Sequence, residues 1–93
     1  MVIGLLSLEL HIPQARSLKD KRRVLRRLEA RLKGQYNVAV AEVDYQDLWQ
    51  RSRLAVVSVN TNHNRLVSTL DAVSSDAERS PEVEVVSAET EIL

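Results

Sequence analysis

An α+β sandwich, in which a four-stranded antiparallel sheet carries two helices on one face, is the fold class this sequence predicts. Three observations predict it. Two segments have apolar residues at helical spacing, each behind a run of capping side chains. Four β-rich segments flank them in the order strand, helix, strand, strand, helix, strand. Finally, 93 residues with 44% apolar side chains suit one continuous core, since single domains run from about 50 to 250 residues. Residues 1–93 are therefore read as one domain.

From Val2 to Ile12, Leu6, Leu8, Leu10 and Ile12 alternate with Ser7, Glu9 and His11, the period of a half-buried strand, and Pro13 ends it. Ser17, three residues before Asp20, is placed to cap a helix in which Leu18, Leu25, Leu28 and Leu32 share one face up to Gly34. Asn37 to Asp44 reads as a strand whose apolar phase slips between Val40 and Ala41, fitting either a β-bulge or burial on both faces. A polar turn at Tyr45 to Asp47 precedes a strand from Leu48 to Val59, close enough to pair as a hairpin. Asn60, Thr61 and Asn62 offer caps for a second helix carrying Leu66, Val67, Leu70 and Val73 and ending near Ala77. Ser80-Pro81 interrupts it, and Val83 to Leu93 mixes Val and Ile with acids as a last strand. Two split βαβ units in this order fold as the ferredoxin-like sandwich. Its second sheet face, to which Leu5, Ser7, Glu9 and His11 point, is left for solvent, a partner or a ligand.

Two stretches, Ser17-Leu18-Lys19-Asp20-Lys21-Arg22-Arg23 and Asn37-Val38-Ala39-Val40-Ala41-Glu42-Val43-Asp44, are followed by Asp47-Leu48-Trp49-Gln50-Arg51. Together they resemble the YlxP-like family of short bacterial proteins of unknown function. The resemblance spans nearly the whole chain and implies the same ferredoxin-like fold. Members of that family commonly sit in gene clusters with translation initiation factor 2 and ribosome-binding factor A, so it also implies a link to ribosome assembly or translation. It supplies no catalytic residues.

Thirteen Lys and Arg balance thirteen Asp and Glu, which argues against a disordered polyelectrolyte and against global basicity. The charges are nonetheless segregated. Nine of the basic residues lie between Arg16 and Lys33 against only Asp20 and Glu29, a local charge of +7. On a helical projection Lys19, Arg22, Arg23, Arg26 and Lys33 lie opposite the leucines, with Arg27 flanking. With Arg16 in the preceding loop they form a candidate anion-binding stripe suited to RNA phosphates; the plain alternative is a solvated helix face. Lys21 falls inside the apolar arc, and its stem is expected to pack along the core edge with the amine reaching out to water. The loop Pro13-Gln14-Ala15-Arg16 offers backbone amides for an anion at the helix start.

Other chemistry has less support. With no cysteine, disulfides, thiolate metal sites and cysteine nucleophiles are excluded, and a reducing cytoplasm is the plain reading. The apolar start lacks a cationic leader and is far shorter than the ~20 residues of a bilayer span, so neither a signal peptide nor a membrane anchor is expected. An enzyme similar to acylphosphatase needs a glycine-containing phosphate cradle, whereas the two glycines are Gly4 and Gly34. His11, Glu42, Asp44 and Asp47 are the imidazole and carboxylates that a folded sheet can gather, though a hydrated histidine and turn-forming aspartates explain them equally well. His63 belongs at a helix start, and two histidines 52 residues apart give no zinc spacing. Of the aromatics Tyr36, Tyr45 and Trp49, none falls on the exposed side of the first strand, so base readout on the sheet is absent. Trp49 either caps the core edge or joins Leu5 and His11 in a sheet-face or dimer contact.

The expected function is that of a non-enzymatic accessory factor linked to ribosome assembly or translation. It would bind ribosomal RNA or a ribosomal subunit through the basic helix and form a homodimer, with no membrane partner. Two alternatives stand beside it: an interaction and dimerisation module docking an acidic partner, and, with least support, a small phosphate-using hydrolase. No catalytic residue, cofactor or metal ligand is assigned.

Overall fold

The computed structural model describes all 93 residues. Its elements run β1 (Val2–His11), α1 (Leu18–Gln35), β2 (Ala39–Asp44), β3 (Arg51–Asn60), α2 (His63–Glu78) and β4 (Glu84–Ile92). The four strands form an antiparallel sheet in the order β2-β3-β1-β4, the expected ferredoxin-like layout.

β1 lies between β3 and β4, and its alternation sorts its side chains to the two faces of the sheet. Leu6, Leu8 and Leu10 point inward opposite Val56, Leu54 and Ser52 of β3, while Leu5, Ser7, Glu9 and His11 face out. The inward row meets Leu25, Leu28 and Leu32 of α1 and Leu66, Leu70 and Val73 of α2 in one core of 15 buried hydrophobic residues. Each fully buried Leu or Val there contributes about 1.5 to 3 kcal/mol over its exposed state. α2 packs tightly on the sheet at Gly4, where an added Cβ would come within 2.8 Å of Leu70 Cδ1.

The helices begin as their capping residues dictate. Ser17 Oγ accepts from the Asp20 amide at 3.0 Å, and the Asp20 carboxylate reaches back to the Arg16 amide at 3.1 Å, a reciprocal cap shifted by one residue. Asn62 caps α2 by accepting from the Arg65 amide at 3.0 Å. α1 runs on through Gly34, which has no positive φ, and stops where Tyr36 turns extended (φ −128) with its amide on the Leu32 carbonyl.

Two expectations for the hairpin need correction. The register break in β2 lies between Glu42 and Asp44, not between Val40 and Ala41. Val38, Val40 and Glu42 all face the helices, so the apparent slip is an acid standing at an inward position. β3 starts at Arg51 and not at Leu48. Tyr45 adopts a left-handed conformation (φ 62), the Leu48 amide closes a turn on its carbonyl, and Leu48 to Gln50 stay outside the ladder.

Leu28, 2% exposed at the centre of the α1 face, tests the helix phase. Leu28→Ala is expected to cost about 2 to 5 kcal/mol in urea-melt stability, and a loss below about 0.5 kcal/mol would contradict this packing.

Candidate anion-binding helix face and its anchors

Two polar anchors besides the leucines hold α1 down. The first is Lys21, whose side chain is fully buried and does not reach water. Its Nζ donates to the carbonyls of Tyr45 (2.8 Å), Gln46 (3.3 Å) and Arg51 (3.2 Å) and lies 3.0 Å from Glu42 Oε2. Ser52 Oγ donates to the same Glu42 oxygen at 2.6 Å. Four inward acceptors from the β2–β3 hairpin leave Lys21 no reason to extend outward, which is why the expected reach to solvent fails. The second anchor is Arg31. Its Nε donates to Asp76 Oδ1 on α2 at 2.8 Å, and Tyr36 Oη donates to Asp76 Oδ2 at 3.1 Å.

With one face so occupied, the other is free. Arg16, Lys19, Arg22, Arg23, Arg26, Arg27 and Lys33 are all exposed. They are not equivalent. Arg23 lies 3.6 Å from Asp20, i to i+3 on the helix, and Arg27 pairs with Glu82 ahead of β4. These pairs line a cleft of about 240 Å³ with Pro13 and Gln14, where two carboxylates match the two guanidinium groups. Arg16, Lys19, Arg22, Arg26 and Lys33 have no carboxylate within 4 Å. Arg22 and Arg26, one turn apart, repel by a few tenths of a kcal/mol, which a bound anion would relieve.

Two amides of the loop before α1 are committed within the fold. The Ala15 amide is on the Ile12 carbonyl at 3.2 Å and the Arg16 amide on Asp20, so neither is available to an anion.

The sheet also separates the imagined catalytic cluster. His11 lies on the open face with Nδ1 3.2 Å from Glu84 Oε2, whereas Glu42 is on the helix side with Lys21. Between His11 and Glu42 lies the sheet itself, so they share no reaction site. No three His, Asp or Glu side chains converge as metal ligands.

Elsewhere the open face divides in two. At one end Glu9 Oε1 accepts from Tyr45 Oη (3.0 Å) and Arg51 Nη2 (3.1 Å), with Arg53 at 3.6 Å and the Arg51 guanidinium 4.4 Å over the Tyr45 ring. At the other, Ile3 and Leu5 of β1 stand opposite Val59 and Val57 of β3, beside Ala39 on β2. Along the β4 edge, Glu84, Glu89 and Glu91 pair with the outward His11, Ser7 and Leu5. Trp49 is 54% exposed in the β2–β3 connection, so it does not cap the core. Leu5 lies six residues up β1 from His11, about 20 Å, so Leu5 and Trp49 do not share one contact patch.

Neither Lys21 and Glu42 nor Arg31 and Asp76 were assigned from the sequence as partners. The one available signal was polarity at positions whose phase pointed inward.

Fold and surfaces together define a small ferredoxin-like α+β domain with a basic helix face and an acidic sheet edge. The chain belongs to the family described as "Protein of unknown function (DUF503)", whose model matches residues 3–90. It is similar to the "Uncharacterized protein YlxP" of Bacillus subtilis (strain 168), at 34% identity over 90 residues, which cover 97% of this chain and 98% of that protein. No helix is long and apolar enough to cross a membrane.

Removing Lys21 would leave Glu42 and three carbonyls facing an empty site. Lys21→Ala is expected to cost about 3 to 5 kcal/mol by urea denaturation, as breaking a buried ion pair does, and a loss under about 1 kcal/mol would contradict the anchor.

Glu29, half-buried on α1, has its carboxyl held above the usual 4.5, first by desolvation; Lys33 opposes this, Glu42 adds to it and Arg26 opposes it. A folded value above the unfolded one gives stability present below the unfolded value and lost as pH rises through the folded one. Glu29→Gln should therefore match the parent protein in acid and exceed it in thermal stability at neutral pH. A less stable variant at neutral pH would refute this.

Proposed function

We propose that this protein is a non-enzymatic accessory factor of ribosome assembly or translation that binds RNA phosphates through the outer face of α1. The observation that carries the reading is the set of five exposed cations, Arg16, Lys19, Arg22, Arg26 and Lys33, with no carboxylate within 4 Å, on a helix anchored from behind. A guanidinium or ammonium group already paired to a carboxylate must give that up to bind phosphate, while an unpaired one only releases solvent and counterions. The acidic β4 edge supports the same orientation, because it repels a polyanion from the sheet face and leaves the helix layer as the approach. Translation is the setting implied by the resemblance to the YlxP-like family. Phosphate contacts position a backbone without reading bases, so structured RNA and not a particular sequence is the expected target.

The test is binding to ribosomal RNA fragments across a salt series. The log–log slope is expected near −0.7 to −0.9 per phosphate contacted. Reversing Arg22 and Arg26 to Glu should weaken binding more than about tenfold with the circular dichroism spectrum unchanged. No binding at low salt, or binding that survives the reversal, would favour an acidic protein partner on the same face.

The apolar end of the open face supports a second element of the reading, a homodimer. Ile3, Leu5, Val57 and Val59 form a contiguous patch with no helix over it, and a two-fold related copy would cover it with the same residues. Light scattering at high micromolar concentration should give twice the chain mass, and Leu5→Lys should halve it. A monomeric parent protein would remove the dimer.

A further inference from the structure

The β2–β3 connection presents the chain's one tryptophan to solvent. Trp49 is 54% exposed and its neighbour Leu48 46% exposed, while the backbone that carries them is tied down from three directions. Lys21 Nζ grips the carbonyls of Tyr45, Gln46 and Arg51. Gln50 Nε2 donates to the Pro13 and Ala15 carbonyls, each at 3.1 Å. The Ile12 amide donates to the Gln50 carbonyl at 2.8 Å. An indole is thus displayed from a well-anchored turn and not from a free loop. With Asp47, Leu48, Gln50 and Arg51 it borders an open cleft of about 480 Å³.

The anchors also place this turn against the start of α1. Ala15, which accepts from Gln50, directly precedes Arg16, and Lys21, which holds the turn from the buried side, stands in the first turn of α1. An aromatic side chain on a turn that is hydrogen-bonded to the residue before Arg16 lets one strand use the two chemistries by which unpaired nucleic acid is bound without sequence preference: bases stack on the ring and phosphates sit on the cations. The apolar patch around Leu5 and Val57 lies at the opposite end of the sheet, so Trp49 is no part of it.

We infer that Trp49 is a base-stacking platform, and that the ligand of the basic helix is RNA with unpaired nucleotides beside the phosphates held at Arg16 and Lys19. This rests on the RNA reading of α1 and narrows it. A continuous duplex keeps its base faces stacked on one another and offers none to the indole, whereas loops and single strands do.

A lone tryptophan makes intrinsic fluorescence a direct report on the site. The full chain would be titrated at low salt with an unstructured oligoribonucleotide of about eight nucleotides. An RNA duplex of equal phosphate number and inorganic phosphate would be titrated alongside, with affinities read in parallel from the anisotropy of labelled RNA. Quenching by the single strand, and little by duplex or phosphate, is expected. Trp49→Ala should weaken single-strand binding by at least about fivefold and leave duplex binding unchanged, with Trp49→Phe restoring most of the loss. Equal affinities for strand and duplex, both indifferent to Trp49→Ala, would overturn the stacking site and leave the phosphate reading standing. Absence of binding to either RNA would overturn both. An emission change with protein concentration alone, together with a dimer that Trp49→Ala dissolves, would assign Trp49 to self-association and overturn the inference.

Discussion

The Nζ of Lys21, sealed from water between α1 and the β2–β3 connection, is the contact on which the working surfaces of this molecule depend. Burying an amine costs several kcal/mol unless its hydrogen-bonding capacity is met, and here the Glu42 carboxylate and three carbonyls meet it. The converse holds for the connection. The carbonyls of Tyr45, Gln46 and Arg51 turn inward, and without Lys21 they would lose their buried partner. Tyr45 can hold a positive φ, a costly conformation for a bulky side chain, because its carbonyl is bonded to Lys21 and its hydroxyl to Glu9. One buried amine thereby shapes the turn that displays Trp49 and aligns it with the first turns of the basic helix.

Arg31, bonded to Asp76 of α2, performs the corresponding task toward the C-terminal end of α1. Between these anchors the leucine face is committed to the core, so the helix can present its cations only outward. Zero net charge and polyanion binding are then compatible, since the sum of the charges says nothing about where they lie. Basic groups gather on the outer face of α1 and acids on the β4 edge, and within one Debye length, about 10 Å at moderate salt, a ligand meets one surface or the other.

Much of the fold was legible in the sequence because local signals agreed with it. The alternation of Leu6, Leu8 and Leu10, the leucines of α1, and the caps at Ser17 and Asn62 each name an element without reference to any other. The exposed stripe was legible for the same reason, since helical periodicity alone puts Arg22 and Arg26 opposite Leu28. What escaped depends on pairs distant in sequence. Glu42 looks like a break in a strand's phase until Lys21, 21 residues earlier, is known to lie over it. The division of the stripe into paired Arg23 and Arg27 and unpaired Arg22 and Arg26 requires knowing that Glu82 returns to α1. Leu48 and Trp49 read as strand because apolar composition cannot reveal a turn fixed by a left-handed tyrosine. His11 and Glu42 looked like partners because composition does not tell which side of a sheet a residue faces.

The central claim is that α1 and the adjoining hairpin form one RNA-binding surface, anchored from beneath by Lys21, while the sheet face serves another purpose. The most direct measurement is an amide NMR map of the full chain titrated with an RNA that contains both a stem and a single-stranded loop. The account predicts progressive shifts at Lys19, Arg22, Arg26 and across Asp47 to Arg51, with β1 and β4 unmoved. Shifts confined to the outward residues of β1, β3 and β4, with α1 and the hairpin silent, would contradict it.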